Sequence, residues 1–350
     1  MPRIILLTGG HTDPGRAKTA VNLIRYKPSE IVGILDPTHA GQSCQSIFGL
    51  GGDIPIEASY DALPPADTVA IGIAPSGGKL PPDLRAQVLE AIQRGLNLIS
   101  GLHQFLSEDP EIAANAAAQN VTIWDVRKTL EREVANRVGI DERCLRIHTV
   151  GQDCNVGKMV VSLELTLALQ KQGHDARFVA TGQTGIMIEG SGCPIDAVVS
   201  DFVNGAAEKL VLANQQHSIL LIEGQGSLAH PRYSAVTLGL LHGCQPDGLI
   251  LCYEMGREHV AGMEGVPLKS LAAYRFLYET MASLMHPCRV IGIAMNSRRY
   301  TDEQADEERQ RLRRELGLPI CDVLRHGTEE LAQAILHRGW EIGKLSKDHL

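Results

Sequence analysis

No two cysteines of this 350-residue chain form a C-x-x-C pair, and no cysteine–histidine group has zinc spacing. Neither a redox dithiol nor a structural zinc site is therefore expected, and the predicted metal set is empty. The eight cysteines are scattered single thiols, which points to reduced, mostly buried residues of a cytosolic protein. No apolar run is long enough to span a bilayer, and the first residues read as a strand, Arg3 to Thr8, not as a signal peptide. A soluble, cytoplasmic protein is expected. Positive charge is also in short supply, with a formal net charge of −8. That argues against nucleic acid or an anionic membrane as the main partner, while leaving room for a local basic pocket that holds a small phosphorylated substrate. No repeat of 20–50 residues and no low-complexity tract is visible.

What the chain does have is 44% hydrophobic and 21% charged residues, the balance of an ordinary globular protein. Its length exceeds what one core usually serves, so two domains are expected, with homo-oligomerisation as the ordinary expectation for a soluble chain. Thirty-five glycines supply the many tight turns of an open α/β sheet. Short apolar runs at 4–8, 31–36, 68–73, 96–100 and 121–125 alternate with helical stretches at 16–26, 82–94 and 110–119. This is the βαβ pattern of a parallel sheet and predicts a Rossmann-like domain over residues 1–140. A charged stretch at 128–143 reads as a helix that ends the domain near Gly139. The same alternation restarts at 144–150 and predicts a second parallel-sheet domain over 141–350. Its strands are expected at 176–180, 218–222, 248–252, 289–294 and 320–324. Its helices are expected at 157–172, 203–214, 268–284, 302–316 and 329–337.

Between the first strand and first helix of the second half lies Val150-Gly-Gln-Asp-Cys-Asn-Val-Gly-Lys-Met159. A phosphate loop needs a strand that delivers the chain, glycine-rich backbone whose N–H groups converge, and a helix N-terminus; all three are present. Gly151, Gln152, Asp153, Cys154, Asn155, Val156, Gly157, Lys158 and Met159 are the predicted phosphate-binding residues, with Lys158 reaching the outer phosphates. Five residues separate Gly151 from Gly157, one more than in the standard loop. Gly-x-Asp-x-x-Val-Gly-Lys is similar instead to the longer loop of dethiobiotin synthetase and its relatives. The alternative is a glycine-rich turn that holds nothing. Met159 stands where such loops place a Ser or Thr for Mg²⁺, and Ser162 is a full turn away. Binding phosphates is thus a stronger expectation than hydrolysing them.

Other polar groups follow strands, where ligands of open parallel sheets bind. Glu223 ends the strand at 218–222 and is a candidate base, with a structural turn cap as the alternative. His230, Arg232 and Tyr233 share one loop and are predicted to touch substrate, as are Gln183 and Thr184 after the strand at 176–180. Glu189, Asp196 and Asp201 add carboxylates near turns. Asn296 stands where related loop proteins bind adenine. In the first domain Gly9–Thr19 imitates a phosphate loop, with Arg16 in place of lysine, and Asp36 occupies the position of a ribose acid. The G-x-G-x-x-G fingerprint is absent, so a nicotinamide site is not expected there. His11, Lys18 and His103 are further ligand candidates.

Taken together, Asp36-Pro, Gly101-Leu-His103, Asp125-Val-Arg127, the loop at 151–158, Ala180–Gly185, Asp196-Ala-Val, Asp201-Phe, Glu223–Pro231, Thr237–Gly243 and Cys252–Arg257 resemble the DgcN-type N-acetyltransferase family. That family pairs a Rossmann-like domain with a P-loop domain of formerly unknown function, and the resemblance covers nearly the whole chain. It implies acetyl transfer from acetyl-CoA to the amine of a D-amino acid such as D-glutamate. Coenzyme A carries a pyrophosphate, so a loop without its Mg²⁺ hydroxyl suits it. On this reading Glu223 or Asp201 takes the amine proton, Lys158 and the loop hold pyrophosphate, and Arg232 or Arg257 pairs with the substrate carboxylate. The rival is a ligase or carboxylase resembling dethiobiotin synthetase, which needs ATP with Mg²⁺. A nucleotide-binding protein without chemistry is the third possibility.

Overall fold

The computed structural model describes residues 1–75 and 77–346. The chain forms two compact units. One comprises Met1–Thr129 with Ile186–Ala197, and the other Leu130–Gly185 with the chain from Val198 onward.

The first unit is built on strands β1 (Ile4–Leu7), β2 (Ile31–Leu35), β3 (Gln42–Ser43), β4 (Pro55–Glu57), β5 (Thr68–Ile71), β6 (Asn97–Ser100) and β7 (Ile123–Asp125). Helices α1 (Lys18–Tyr26), α2 (Cys44–Phe48), α3 (Pro82–Gln93) and α4 (Pro110–Ala118) connect them. β1 and β5 are buried at every position, as expected of strands covered on both faces. α4 starts where its sequence says it should: Asp109 caps the amides of Glu111 and Ile112, and Pro110 follows. The strand order is β3-β4-β2-β1-β5-β6-β7, parallel throughout except for β3 against β4. Without β3 this is the 3-2-1-4-5-6 order of a dinucleotide-type fold. The small elements β3, α2 and β4 have no counterpart in the sequence pattern, because none exceeds five residues.

The second unit carries β8 (Leu145–Gly151), β9 (Ala176–Val179), β10 (Ile219–Ile222), β11 (Gly248–Glu254), β12 (His259–Val260), β13 (Met263–Pro267), β14 (Arg289–Asn296) and β15 (Ile320–Cys321). Its helices are α5 (Lys158–Lys171), α6 (Gln183–Glu189), α7 (Val203–Asn214), α8 (Ser234–Cys244), α9 (Leu271–Ser283), α10 (Asp302–Leu316) and α11 (Glu329–Glu341), of which α6 runs on into the segment assigned to the first unit. The main sheet is all parallel, in the order β15-β14-β11-β8-β10-β9, and β12 and β13 form a separate antiparallel hairpin. Two apolar layers cover it. One includes Leu165 and Leu169 of α5 with Leu331 and Ile335 of α11. The other includes Tyr274 and Tyr278 of α9 with Leu312 of α10.

The stretch expected as a helix around 128–143 is not one. Residues 130–138 are irregular and lie against α7, where the Glu208 carboxylate accepts the amides of Asn136 and Arg137, both at 2.8 Å. Lys209 pairs with Glu131 and Glu133, and Arg137 takes a left-handed φ of 56°. Tertiary partners for the backbone thus replace the helical ladder that the charge pattern suggested. Conversely α8, which has no clear helical signal, forms because Gly239 and Gly243 let it approach Val203 and Asn204 of α7. Among the described residues no helix is long and apolar enough to cross a membrane.

Candidate functional site

The parallel sheet brings the ends of β8, β10, β11 and β14 together, and the predicted loop leaves β8 at their centre. Gly157 caps α5 with φ 103° and no side-chain cap, so the first amides of the helix face the loop. Asn155 also takes a left-handed φ, 57°. Lys158 is the first residue of α5 and is buried, and its Nζ donates to the Asp153 carbonyl at 2.9 Å. Burial lowers its pKa from the usual lysine range. The Oε1 of Gln152, in a residue only 5% exposed, is buried without a hydrogen-bond partner among the described residues. A buried ammonium and helix-terminal amides at one strand end are donors that could hold an anionic group.

Asp153 is turned into the protein. It is fully buried, with Oδ1 accepting the Cys154 amide at 2.6 Å and Oδ2 accepting Arg257 Nη1 and the Ala261 amide, both at 2.8 Å. Asp153 is therefore an anchor that ties the loop to Arg257 of the β11–β12 connection and to Ala261 of the β12–β13 turn. Arg257 completes the tie by donating to the Cys154 carbonyl at 2.8 Å and pairing with Glu254. Both of its terminal nitrogens are engaged, so its role here is structural support for the loop.

His230 and Cys154 come close to Asp153, the three forming a cluster with ligating atoms within 4.8 Å of one another. The chemistry of this set does not suit a cation. His230 Nδ1 accepts the Arg232 amide at 3.0 Å, which leaves the proton on Nε2, 3.6 Å from Asp153 Oδ1. Burial lowers the His230 pKa and favours that neutral form. Arg257 already neutralises the carboxylate. The ring of Tyr233 lies 4.7 Å from that of His230, while Arg232 and Tyr233 are themselves exposed.

Glu223 follows β10, and its Oε2 accepts the amides of Thr181 and Gly182 at 2.9 and 3.0 Å. Gln225 Nε2 donates to Oε1 at 3.2 Å. It thereby links the ends of β9 and β10 and orients the turn that carries half-buried Gln183 and Thr184 into α6. Gly185 permits this, since a Cβ there would lie 2.5 Å from Glu223 Oε2. Gly224 is tighter still, with the Thr149 carbonyl 1.8 Å from where its Cβ would be and the Lys158 side chain 2.9 Å away. Asp201, by contrast, lies exposed in the 3-10 turn Ser200–Phe202 and shares no hydrogen bond or ion pair with the loop among the described residues. Asn296 ends β14 in register with Glu254 of β11. Met159 is half-buried, and Ser162 does not replace the missing hydroxyl: its Oγ lies 3.0 Å from that of Thr149, beneath the loop.

Two residues outside the predicted site also hold the loop. Tyr278 donates to the Gly151 carbonyl at 2.7 Å, and Ser227 to the Gln152 carbonyl at 3.1 Å. Only the helical spacing of Tyr274 and Tyr278 hinted that α9 turns one face inward.

In the first unit, Asp36 is buried and its carboxylate accepts from Thr12, from the Thr38 amide at 2.8 Å and from His39 Nδ1 at 2.9 Å. Burial works to raise its pKa, but these bonds outweigh it and hold the group below the usual carboxylate range. It closes its own turn. Arg16 lies 3.2 Å from His11 Nδ1. Arg127 donates to the Gly101 carbonyl at 2.8 Å and pairs with Asp196, to which His103 comes within 3.9 Å. Three separate motifs thus meet in one ion-pair cluster that pins the 186–197 segment.

Comparison with known proteins agrees with this architecture. A family model described as a domain of unknown function, Rossmann-like (DUF1611_N), matches residues 37–129, and its P-loop companion (DUF1611_C) matches residues 124–332. A D-glutamate N-acetyltransferase of Tritonibacter scottomollicae is 36% identical over 333 residues, covering 95% of this chain and 97% of that protein. One from a Pseudoalteromonas species is 37% identical over 331 residues, covering 94% and 97%. The crystal structure of a DUF1611 family protein from Anabaena variabilis superposes with a TM-score of 0.89 at 38% identity, covering 96% of this chain and all of that one. The chain belongs to the DUF1611 family, in which a Rossmann-like domain precedes a P-loop domain and whose curated relatives at this identity are named as N-acetyltransferases.

Proposed function

We propose that this enzyme transfers an acetyl group from acetyl-CoA to the amine of D-glutamate or a closely similar D-amino acid, and that the loop at 151–158 grips the pyrophosphate of the donor without Mg²⁺. The observation that carries the reading is the loop itself. Lys158 and the start of α5 are arranged for phosphates, while Met159 occupies the magnesium-hydroxyl position and Ser162 is committed to Thr149. The near-full-length likeness to two proteins named D-glutamate N-acetyltransferase supplies the acyl-transfer chemistry and the acceptor.

Acetyl-CoA supplies a thioester carbonyl that a free amine attacks. The chain must therefore bind the donor, orient the acceptor and remove a proton from its ammonium group. Lys158 and the loop amides bind the phosphates. Glu223 is the proton acceptor of this proposal: it stands at the β10 end beside Gly224, which packs on the Lys158 side chain. Gln183 and Thr184, on the turn that Glu223 orients, face the acceptor, and His230, Arg232 and Tyr233 supply the opposite wall. Arg232, exposed and without a carboxylate partner among the described residues, pairs with the acceptor's carboxylate.

The test is mass spectrometry of the product formed from acetyl-CoA and D-glutamate, with L-glutamate and with ATP–Mg²⁺ as controls. Expected are N-acetyl-D-glutamate and free CoA, formed equally well in EDTA, and a kcat at least about tenfold lower for Glu223→Gln. ADP release that depends on D-glutamate would favour the ATP-dependent ligase instead. Undiminished transfer by Glu223→Gln would remove that residue from the mechanism.

A further inference from the structure

Beyond the loop, the ends of β11 and β14 hold more positive charge than the local carboxylates balance. Glu254, 3% exposed, is the shared centre. Arg257 pairs with it closely and also with Asp153, so these three groups largely account for one another. Two more guanidinium groups face the same carboxylate at longer range: Arg298 Nη2 lies 3.5 Å and Arg299 Nε 3.6 Å from Glu254 Oε1. Those separations are beyond ordinary hydrogen bonds, so Glu254 draws the two arginines together without consuming their donors. Among the described residues neither guanidinium donates a hydrogen bond, and their side chains are 41% and 72% exposed. With Lys158, four cations stand over three carboxylates, Asp153, Glu254 and Glu223, in a chain whose net charge is −8. Such an excess is an anion site.

The loop bearing these arginines is held in place. Ser297 binds Asp322 at 2.7 Å through its hydroxyl and 2.8 Å through its amide. Arg325 donates to the Tyr300 carbonyl at 2.8 Å. The Tyr300 hydroxyl lies 1.7 Å from where a Cβ of Gly256 would be, so only glycine lets the β14 loop dock beside Arg257. A fixed backbone thus carries exposed, unsatisfied donors that an anion can engage.

We infer that Arg298 and Arg299 form the subsite for the 3′-phosphate of coenzyme A, an inference that rests on the acetyl-CoA reading above. β11 lies between β8 and β14, so the β14 end is two strand spacings, roughly 10 Å, from the phosphate loop. A pyrophosphate in the loop leaves its ribose and base to bridge that gap, with Asn296 at the same strand end for the base. The ribose 3′-phosphate then arrives beside the arginine pair. ATP has no group there, so the pair selects coenzyme A over a nucleoside triphosphate, independently of what Met159 does to Mg²⁺.

The test is calorimetric titration of the full-length protein with acetyl-CoA and with 3′-dephospho-acetyl-CoA, for wild type and for the Arg298→Ala/Arg299→Ala double variant. Wild type is expected to bind acetyl-CoA at least about tenfold more tightly than the dephospho analogue. The double variant, whose folding is checked by its melting curve, is expected to bind both as wild type binds the analogue. Equal wild-type affinities, or an equal loss of both ligands in the variant, overturns the inference while leaving acetyl-CoA as donor. Failure of both ligands to bind wild type overturns the donor reading as well. A rise in KM for D-glutamate with the preference for acetyl-CoA intact would assign the arginines to the acceptor's carboxylate instead.

Discussion

His148 occupies the middle of β8, two residues before the loop begins, and it is wholly buried. Its Nδ1 donates to the Ile222 carbonyl at 3.1 Å, and Nε2 is buried without a partner among the described residues. Burial, with Lys158 nearby as a lesser cause, lowers its pKa from 6.5 to about 4. Between those values the unfolded chain takes up a proton that the folded chain refuses. The stabilising contribution is thus complete above pH 6.5 and is lost as pH falls towards 4, at up to about 1.4 kcal/mol per pH unit. Urea unfolding at pH 7, 6 and 5 is expected to show this loss, and His148→Leu to flatten it. An identical pH slope in that variant would assign the acid sensitivity to other groups. The same strand that carries the loop thus carries a residue that ties its integrity to neutral pH. Asp153 was legible in the sequence as part of the lengthened loop. That it turns inward to Arg257 and Ala261 was not, because its partners lie more than 100 positions away.

At the level of elements, helices with local signals were readable. α10 has a capping box at Thr301 and Gln304 and ends on the left-handed Gly317, and it forms close to where the sequence places it. The error at 128–143 and the silence over α8 have one cause: both segments owe their conformation to α7. Gly205 is the pivot, since the Glu133 carbonyl lies 1.9 Å from where its Cβ would be. Gly205→Ala is expected to force the 130–138 segment off the helix, at a cost of about 1–3 kcal/mol. The readouts are a lowered melting temperature and faster proteolytic cleavage within 130–138. An unchanged melting curve and cleavage rate would mean that the close approach contributes little. The β12–β13 hairpin was missed because two short strands with Gly262 and Gly265 leave no period to read, yet its first residues supply the Ala261 amide to the loop.

For the whole molecule, the order β14-β11-β8-β10 decides the site, because it lines up residues from four separate parts of the chain at the carboxyl ends of the strands. Parallel topology made the strand ends the place to look, so Lys158, Glu223 and Asn296 could be named from sequence. The partition of their roles could not. Only the packing separates the loop's open donor groups from those that brace it, and only the packing brings Arg298 and Arg299 to Glu254. An acidic protein thereby concentrates its positive charge where a phosphorylated donor would lie. Titration of acetyl-CoA into wild type and Lys158→Ala, each with EDTA and with Mg²⁺, asks whether these strand ends hold acetyl-CoA through Lys158 without a metal. Binding that is indifferent to Mg²⁺ and falls at least about tenfold in Lys158→Ala is the predicted result. Tight Mg²⁺-dependent binding of ATP that excludes acetyl-CoA, or acetyl-CoA binding that ignores the loss of Lys158, would contradict it.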